Sequence, residues 1–172
     1  MNGGYKMPYD LSKPLVIGIS SRALFNLEQE NKIFEEQGVE AYEAYQVAHE
    51  NEILQKGAAF QLIKAFLELN NTEFGRLVEV IIMSRNNANT CLRIFNSIQY
   101  YGLDITRATL TSGAEIAPYL KAFKTDLFLS ANSDDVQSAI NYGIAAGRIL
   151  TGEAHADPKQ KIDQIRIAFD GD

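Results

Sequence analysis

The clearest apolar run in the chain is Leu15-Val16-Ile17-Gly18-Ile19, which follows Pro14. It is short, continuous and rich in β-branched residues, the pattern of a strand buried on both faces of a parallel sheet. Val80-Ile81-Ile82-Met83 repeats it. Ala108-Thr109-Leu110-Thr111 and Leu127-Phe128-Leu129 are weaker versions, and Ile165-Arg166-Ile167-Ala168-Phe169 is the last. Helical spacing fills the intervals. Ala59, Leu62, Ile63, Phe66 and Leu67 lie on one helical face, as do Cys91, Ile94, Phe95 and Ile98, with Gly102 placed as a C-cap. Ser133-Asp134-Asp135 reads as an N-terminal cap, with Val136, Ile140 and Ile144 on the face that follows. Strands alternating with helices of this length predict βαβ units, hence an α/β fold with a doubly wound parallel sheet.

One segment breaks the alternation. Leu24 to Lys56 is rich in Glu, Gln and Ala, is divided by Gly38, and stands between the first strand and its expected crossover helix. It reads as two helices inserted as a lid-like cap, or as an elongated surface crossover. From Thr151 to Lys161 the chain turns polar, as a linker does. The strand at 165–169 is of the central type, yet only three residues follow it. Such a strand ordinarily feeds a loop and a helix, so the sequence predicts a portion of a longer protein, the alternative being a sheet-edge strand.

Composition narrows the classes. The chain has 172 residues and a net charge of -6, and no Lys/Arg cluster stands out. Nucleic acid as a partner is disfavoured, because binding it needs a basic footprint. A single cysteine, Cys91, excludes an intrachain disulfide and suits a reducing compartment. The N-terminal ten residues lack the apolar core of a signal peptide, and the apolar runs are too short to span a bilayer. Cytoplasm, without a membrane partner, is the expected location.

In open α/β sheets ligands gather beyond the carboxyl ends of the strands. Those ends carry Ser20-Ser21-Arg22, Ser84-Arg85-Asn86-Asn87, Ser130-Ala131-Asn132 and Asp170-Gly171-Asp172. The last is the sharpest signal: an apolar run followed by Asp-x-Asp is the arrangement of a phosphotransferase with an aspartyl nucleophile, although acidic strand termini are common. Ile17 to Arg22 lines up with Ile167 to Asp172, with Ser20 where Asp170 stands and Arg22 where Asp172 stands. The first unit looks like the same pattern with its acids removed. A hard cation wants several anionic oxygen ligands, which Ser20, Arg22, Ser130 and Ala131 do not offer. Ser84 is a hydroxyl placed for a phosphoryl oxygen, Lys121 a candidate stabilising amine, and Arg22 and Arg85 with nearby Ser and Asn suit an anion. The competing reading pairs each arginine with a Glu of the cap. His49 and His155 read as solvated, and Cys91 as core.

Several stretches resemble the cytosolic type I 5'-nucleotidases, which are of the haloacid-dehalogenase kind. They include Val16-Ile17-Gly18-Ile19-Ser20-Ser21-Arg22-Ala23-Leu24-Phe25, Glu36-Gln37-Gly38-Val39-Glu40-Ala41-Tyr42, His49-Glu50-Asn51-Glu52, Tyr101-Gly102-Leu103-Asp104-Ile105-Thr106, Tyr119-Leu120-Lys121-Ala122-Phe123 and Arg166 to Asp172. The resemblance covers nearly the whole chain. It implies a haloacid-dehalogenase-like, Rossmann-type fold, with a degenerate α/β unit over 1–150, a cap at about 24–57, a linker at 151–164 and the start of a catalytic unit at 165–172. It also implies hydrolysis of nucleoside 5'-monophosphates with Mg2+, Asp170 being the nucleophile, Asp172 the general acid/base, and both metal ligands. Ser20, Ser21, Arg22, Ser84, Arg85, Asn86 and Lys121 are the expected substrate or anion contacts. Whether the chain forms a homo-oligomer stays open. The rival from another class is a non-catalytic nucleotide-binding, phosphate-binding or assembly module. A dinucleotide-binding domain is weak, because no Gly-x-Gly-x-x-Gly follows the first strand.

Overall fold

The computed structural model describes residues 13–88 and 90–151. The strand expected at 165–169, the linker, His155, Asp170 and Asp172 lie outside the described residues. Within them the elements run β1 (Leu15–Ile19), α1 (Ser21–Leu24), α2 (Glu28–Ala48), α3 (Phe60–Glu68), β2 (Val78–Ser84), α4 (Leu92–Tyr100), β3 (Arg107–Leu110), α5 (Ala117–Ala122), β4 (Leu127–Ser130), α6 (Ser133–Asn141) and β5 (Ala145–Arg148). The strands form one five-stranded sheet in the order β3-β2-β1-β4-β5, with every pair parallel.

Alternation along β1 decides what each face receives. Ile17 and Ile19 point into a cluster with Leu24, Phe25, Phe60, Ile63, Ile94 and Ile98, from α1, α3 and α4. Val16 points the other way, into a cluster with Ile81, Met83, Leu120, Phe128 and Ala139, where α5 and α6 pack. All seven residues of β2 are buried, so its continuous apolar run reflects two covered faces. Within it Glu79 is fully buried and is held by Arg76 (2.7 Å) and by Arg107 of β3. Removing both partners would strand a buried charge, and breaking a buried pair typically costs ~3–5 kcal/mol.

Two details differ from the sequence pattern, and both lie around α6. Asn132, one residue before the expected cap, is the N-cap, its Oδ1 accepting from the N–H groups of Asp134 (2.8 Å) and Asp135 (3.0 Å). The helix stops at Asn141, so Ile144 lies beyond it, and Ile140 is exposed rather than facing the core. Gly143 has φ +77°, a left-handed conformation that glycine adopts without strain and that ends the helix. The chain then forms β5, a strand of Ala, Ala, Gly and Arg that the sequence pattern does not reveal.

The segment between α1 and α3 is helical, and at Gly38 it takes a non-helical φ of 84° and ψ of -176°. The two halves are anchored differently. Glu30 of the first half meets Arg93 of α4 in a buried ion pair at 2.5 Å. Tyr42 and Glu43 of the second half bond Asn86 and Asn87 beyond β2.

The chain leaves β1 toward β2 and β3 on one side, then crosses back to β4 and β5 on the other. The carboxyl ends of β1 and β4 therefore flank the switch point of the sheet, where such folds open a crevice.

Candidate functional site

The crevice is a cleft of about 500 Å3, within the range of about 300–1,000 Å3 typical of small-molecule sites. Its floor comes from the loops after β1, β2, β3 and β4, and its wall from α2. Four sequence candidates line it together: Ser21, Arg22, Arg85 and Asn86. Ser20 and Ser84 are buried just beneath. Lys121 is not among the lining residues; it is exposed in the last turn of α5.

The serines at the strand ends shape the backbone. Ser20 Oγ caps α1 by accepting from Ala23 N (3.3 Å) and also accepts from Ala131 N (3.3 Å), which ties the end of β1 to the end of β4. Ser84 Oγ accepts from Asn86 N (3.1 Å), and Ser130 Oγ from Asn132 N (3.1 Å). The two Ser-x-Asn turns are thus alike, each hydroxyl bonding the N–H two residues on. Ser21 Oγ and Ser84 Oγ lie 3.4 Å apart.

Both arginines are clasped. Arg22 binds Glu28 of α2 through Nε (3.0 Å) and NH2 (2.8 Å), a bidentate fork. That bond with Arg22 holds the Glu28 carboxyl below its ordinary value of 4.5, against the opposing effect of burial. Arg85 gives both Nε and NH2 to one carboxylate oxygen of Asp135, on α6. The pairing reading therefore describes both residues, with Asp135 in place of a cap Glu for Arg85. Glu28 is such a cap Glu, whereas Asp135, 50 positions from Arg85, was not anticipated.

The wall supplies residues that sequence reasoning missed. Tyr42 donates its hydroxyl to Asn86 Oδ1 (3.1 Å) and accepts from Gln46 Nε2 (3.0 Å), and burial raises its phenol above the usual range. Phe34 packs edge-on against Tyr42, centroids 6.0 Å apart, with about half of its surface still exposed. An aromatic on each side of Gly38 was the available signal. Asn87, bonded to Glu43, and Asn132, both named at the strand ends in the sequence, line the cleft as well.

The remaining candidates are structural. His49 stacks on Tyr45 at 3.9 Å and its Nδ1 meets Tyr45 O (2.7 Å). Cys91 is core, its thiol pushed up to about 12, chiefly by burial.

Among the described residues no cluster of three Asp, Glu, His or Cys side chains could hold a metal ion. The acids near the cleft are committed to Arg22, Arg85, Arg93 and Asn87, so the donor set does not fit magnesium. Nor do the strand ends that line the cleft offer a carboxylate nucleophile with a second acid beside it.

The 5'-nucleotidase family model matches residues 7–172, nearly the whole chain. The chain belongs to the 5'-nucleotidase family. It is 39% identical over 167 residues to human cytosolic 5'-nucleotidase 1B, an alignment covering 92% of this chain and 27% of that protein. The chain thus spans about a quarter of the length of that curated relative. No solved structure matches it. Among the described residues, no helix of this nucleotidase-family chain is long and apolar enough to cross a membrane.

Proposed function

We propose that the chain is part of an enzyme that hydrolyses nucleoside 5'-monophosphates to nucleoside and phosphate. Residues 1–150 are its non-catalytic, haloacid-dehalogenase-like unit, and Asp170 and Asp172 begin the catalytic one. In this reading a carboxylate oxygen of Asp170 bonds to phosphorus as the bond from phosphorus to the 5'-oxygen breaks. Asp172 gives its proton to the departing nucleoside. Water then attacks the aspartyl-phosphate, Asp172 takes its proton, and phosphate leaves with the Asp170 carboxylate restored.

The observation that carries the reading is the contrast within a family match over residues 7–172. The first strand is followed by Ser20 and Arg22 where the last apolar run is followed by Asp170 and Asp172. Magnesium is proposed only alongside those two acids, because the described cleft has no donor set for it. Cytoplasmic residence is in keeping with the name of the human relative.

A second reading, a nucleotide-binding or assembly module without catalysis, draws on the same cleft, where Ser20, Ser84 and Ser130 end the strands in place of acids. Phosphate release from AMP by the full-length protein separates the two. The nucleotidase reading expects release that is lost on chelation of divalent metal and in Asp170→Asn. An unaffected rate in Asp170→Asn would move catalysis elsewhere, and absence of release would leave the module reading.

A further inference from the structure

The arginines at the cleft have the residue type of a phosphate site, but their charge is spent. Arg22 and Arg85, together with Arg93 behind the wall, face Glu28, Asp135, Glu30 and Glu43. A phosphate dianion would have to break such pairs or sit beside their carboxylates. The helix that starts at the cleft gives an anion no better hold. Two N–H groups at the start of α6, those of Asp134 and Asp135, are taken by Asn132 Oδ1, and both residues are acidic.

What the cleft does offer is apolar and amide surface. Phe34 and Val39 are half-exposed on the wall, and Tyr42 is fixed between Gln46 and Asn86. Asn86, Asn87 and Asn132 line the same cleft, and their Oδ1 atoms already accept from Tyr42, from Thr90 N and from the N–H groups of Asp134 and Asp135, so the amides offer N–H donors. An aromatic face beside amide donors matches a flat, uncharged heterocycle, which stacks on one and accepts from the other along its edge.

We propose that this cleft takes the uncharged nucleoside part of a nucleotide, base and sugar, and not a phosphate group. The choice of a nucleoside, among flat heterocycles, rests on the nucleotidase reading. The pairs at Arg22 and Arg85 keep the cleft closed to free phosphate, and Phe34 and Tyr42 hold the ring.

The test is calorimetric titration of the full-length protein carrying Asp170→Asn with adenosine and with uridine, repeated in excess inorganic phosphate and in excess ribose 5-phosphate. Binding of at least one nucleoside, undisturbed by either phosphate, is expected. Phe34→Ala should weaken it about tenfold, the loss of one stacking partner, and Phe34→Tyr should restore it. Phe34 is half-exposed, so its truncation leaves the fold intact, which a thermal melt verifies. Competition by inorganic phosphate, affinity indifferent to Phe34→Ala, or no binding of either nucleoside would overturn the proposal. Phosphate release by the parent protein is measured separately, so failure of the nucleotidase reading remains distinguishable from failure of this one.

Discussion

The carboxyl end of β1 and the end of the last apolar run share a pattern and differ in chemistry. Each is a hydrophobic run followed by a polar residue, a small residue and a charged one. At β1 that triplet is Ser20-Ser21-Arg22, and every member has a structural partner. Ser20 ties β1 to β4, Ser21 faces Ser84, and Arg22 clasps α2 through Glu28. At the other end the triplet is Asp170-Gly171-Asp172, two carboxylates separated by the smallest residue. With a capping hydroxyl and an arginine, the end of β1 anchors a helical wall. The same sequence pattern can thus carry structural partners or a pair of acids, and its side chains decide which.

The strongest way to sharpen the comparison is to remove the group that holds the wall from α4. Arg93→Ala leaves Glu30 buried without its partner. The expected loss is ~3–5 kcal/mol of stability, read by denaturant unfolding. A loss below ~1 kcal/mol, the range of exposed pairs, would mean that the ion pair does not anchor α2.

How much of this was legible follows from the same residues. β1 and β2 announce themselves because both of their faces are buried, which leaves an unbroken apolar run. β5 does not, because an edge strand of Ala-Ala-Gly-Arg carries no β-branched or large apolar side chain. Its one signal was Gly143, which stops α6 and frees Ile144 from the helical face. At the site, the polar residues after β1, β2 and β4 were legible from topology alone. Their partners were not, since Arg85 with Asp135 and Tyr42 with Asn86 join segments that carry no common pattern. Asp170 and Asp172 were legible as a motif and lie outside the described residues.

A smaller effect is expected from Ser20→Ala, which deletes the cap of α1 and the tie to Ala131. Loss of such a cap costs ~1 kcal/mol, seen as a lowered melting temperature, while phosphate release from AMP stays near the parent rate. Collapse of activity in a folded Ser20→Ala protein would break the comparison, because β1 would then carry chemistry.

The smallest effect is one of pH. The Glu28 carboxyl is held below 4.5 by Arg22, so its stabilising contribution is present above that value. It is lost as pH falls through the lowered one. Acid titration of stability should therefore flatten in Glu28→Gln relative to the parent. The difference should be slight, because the pair is exposed and screened.

The central claim is that covalent chemistry belongs to Asp170 and not to the strand end that it resembles. Acid-quenching the full-length protein during turnover of AMP, followed by peptide mass spectrometry, tests it directly. The account predicts an acyl-phosphate on the peptide containing Asp170, absent from Asp170→Asn. A phosphoryl group on Ser20 or Ser21 would contradict it.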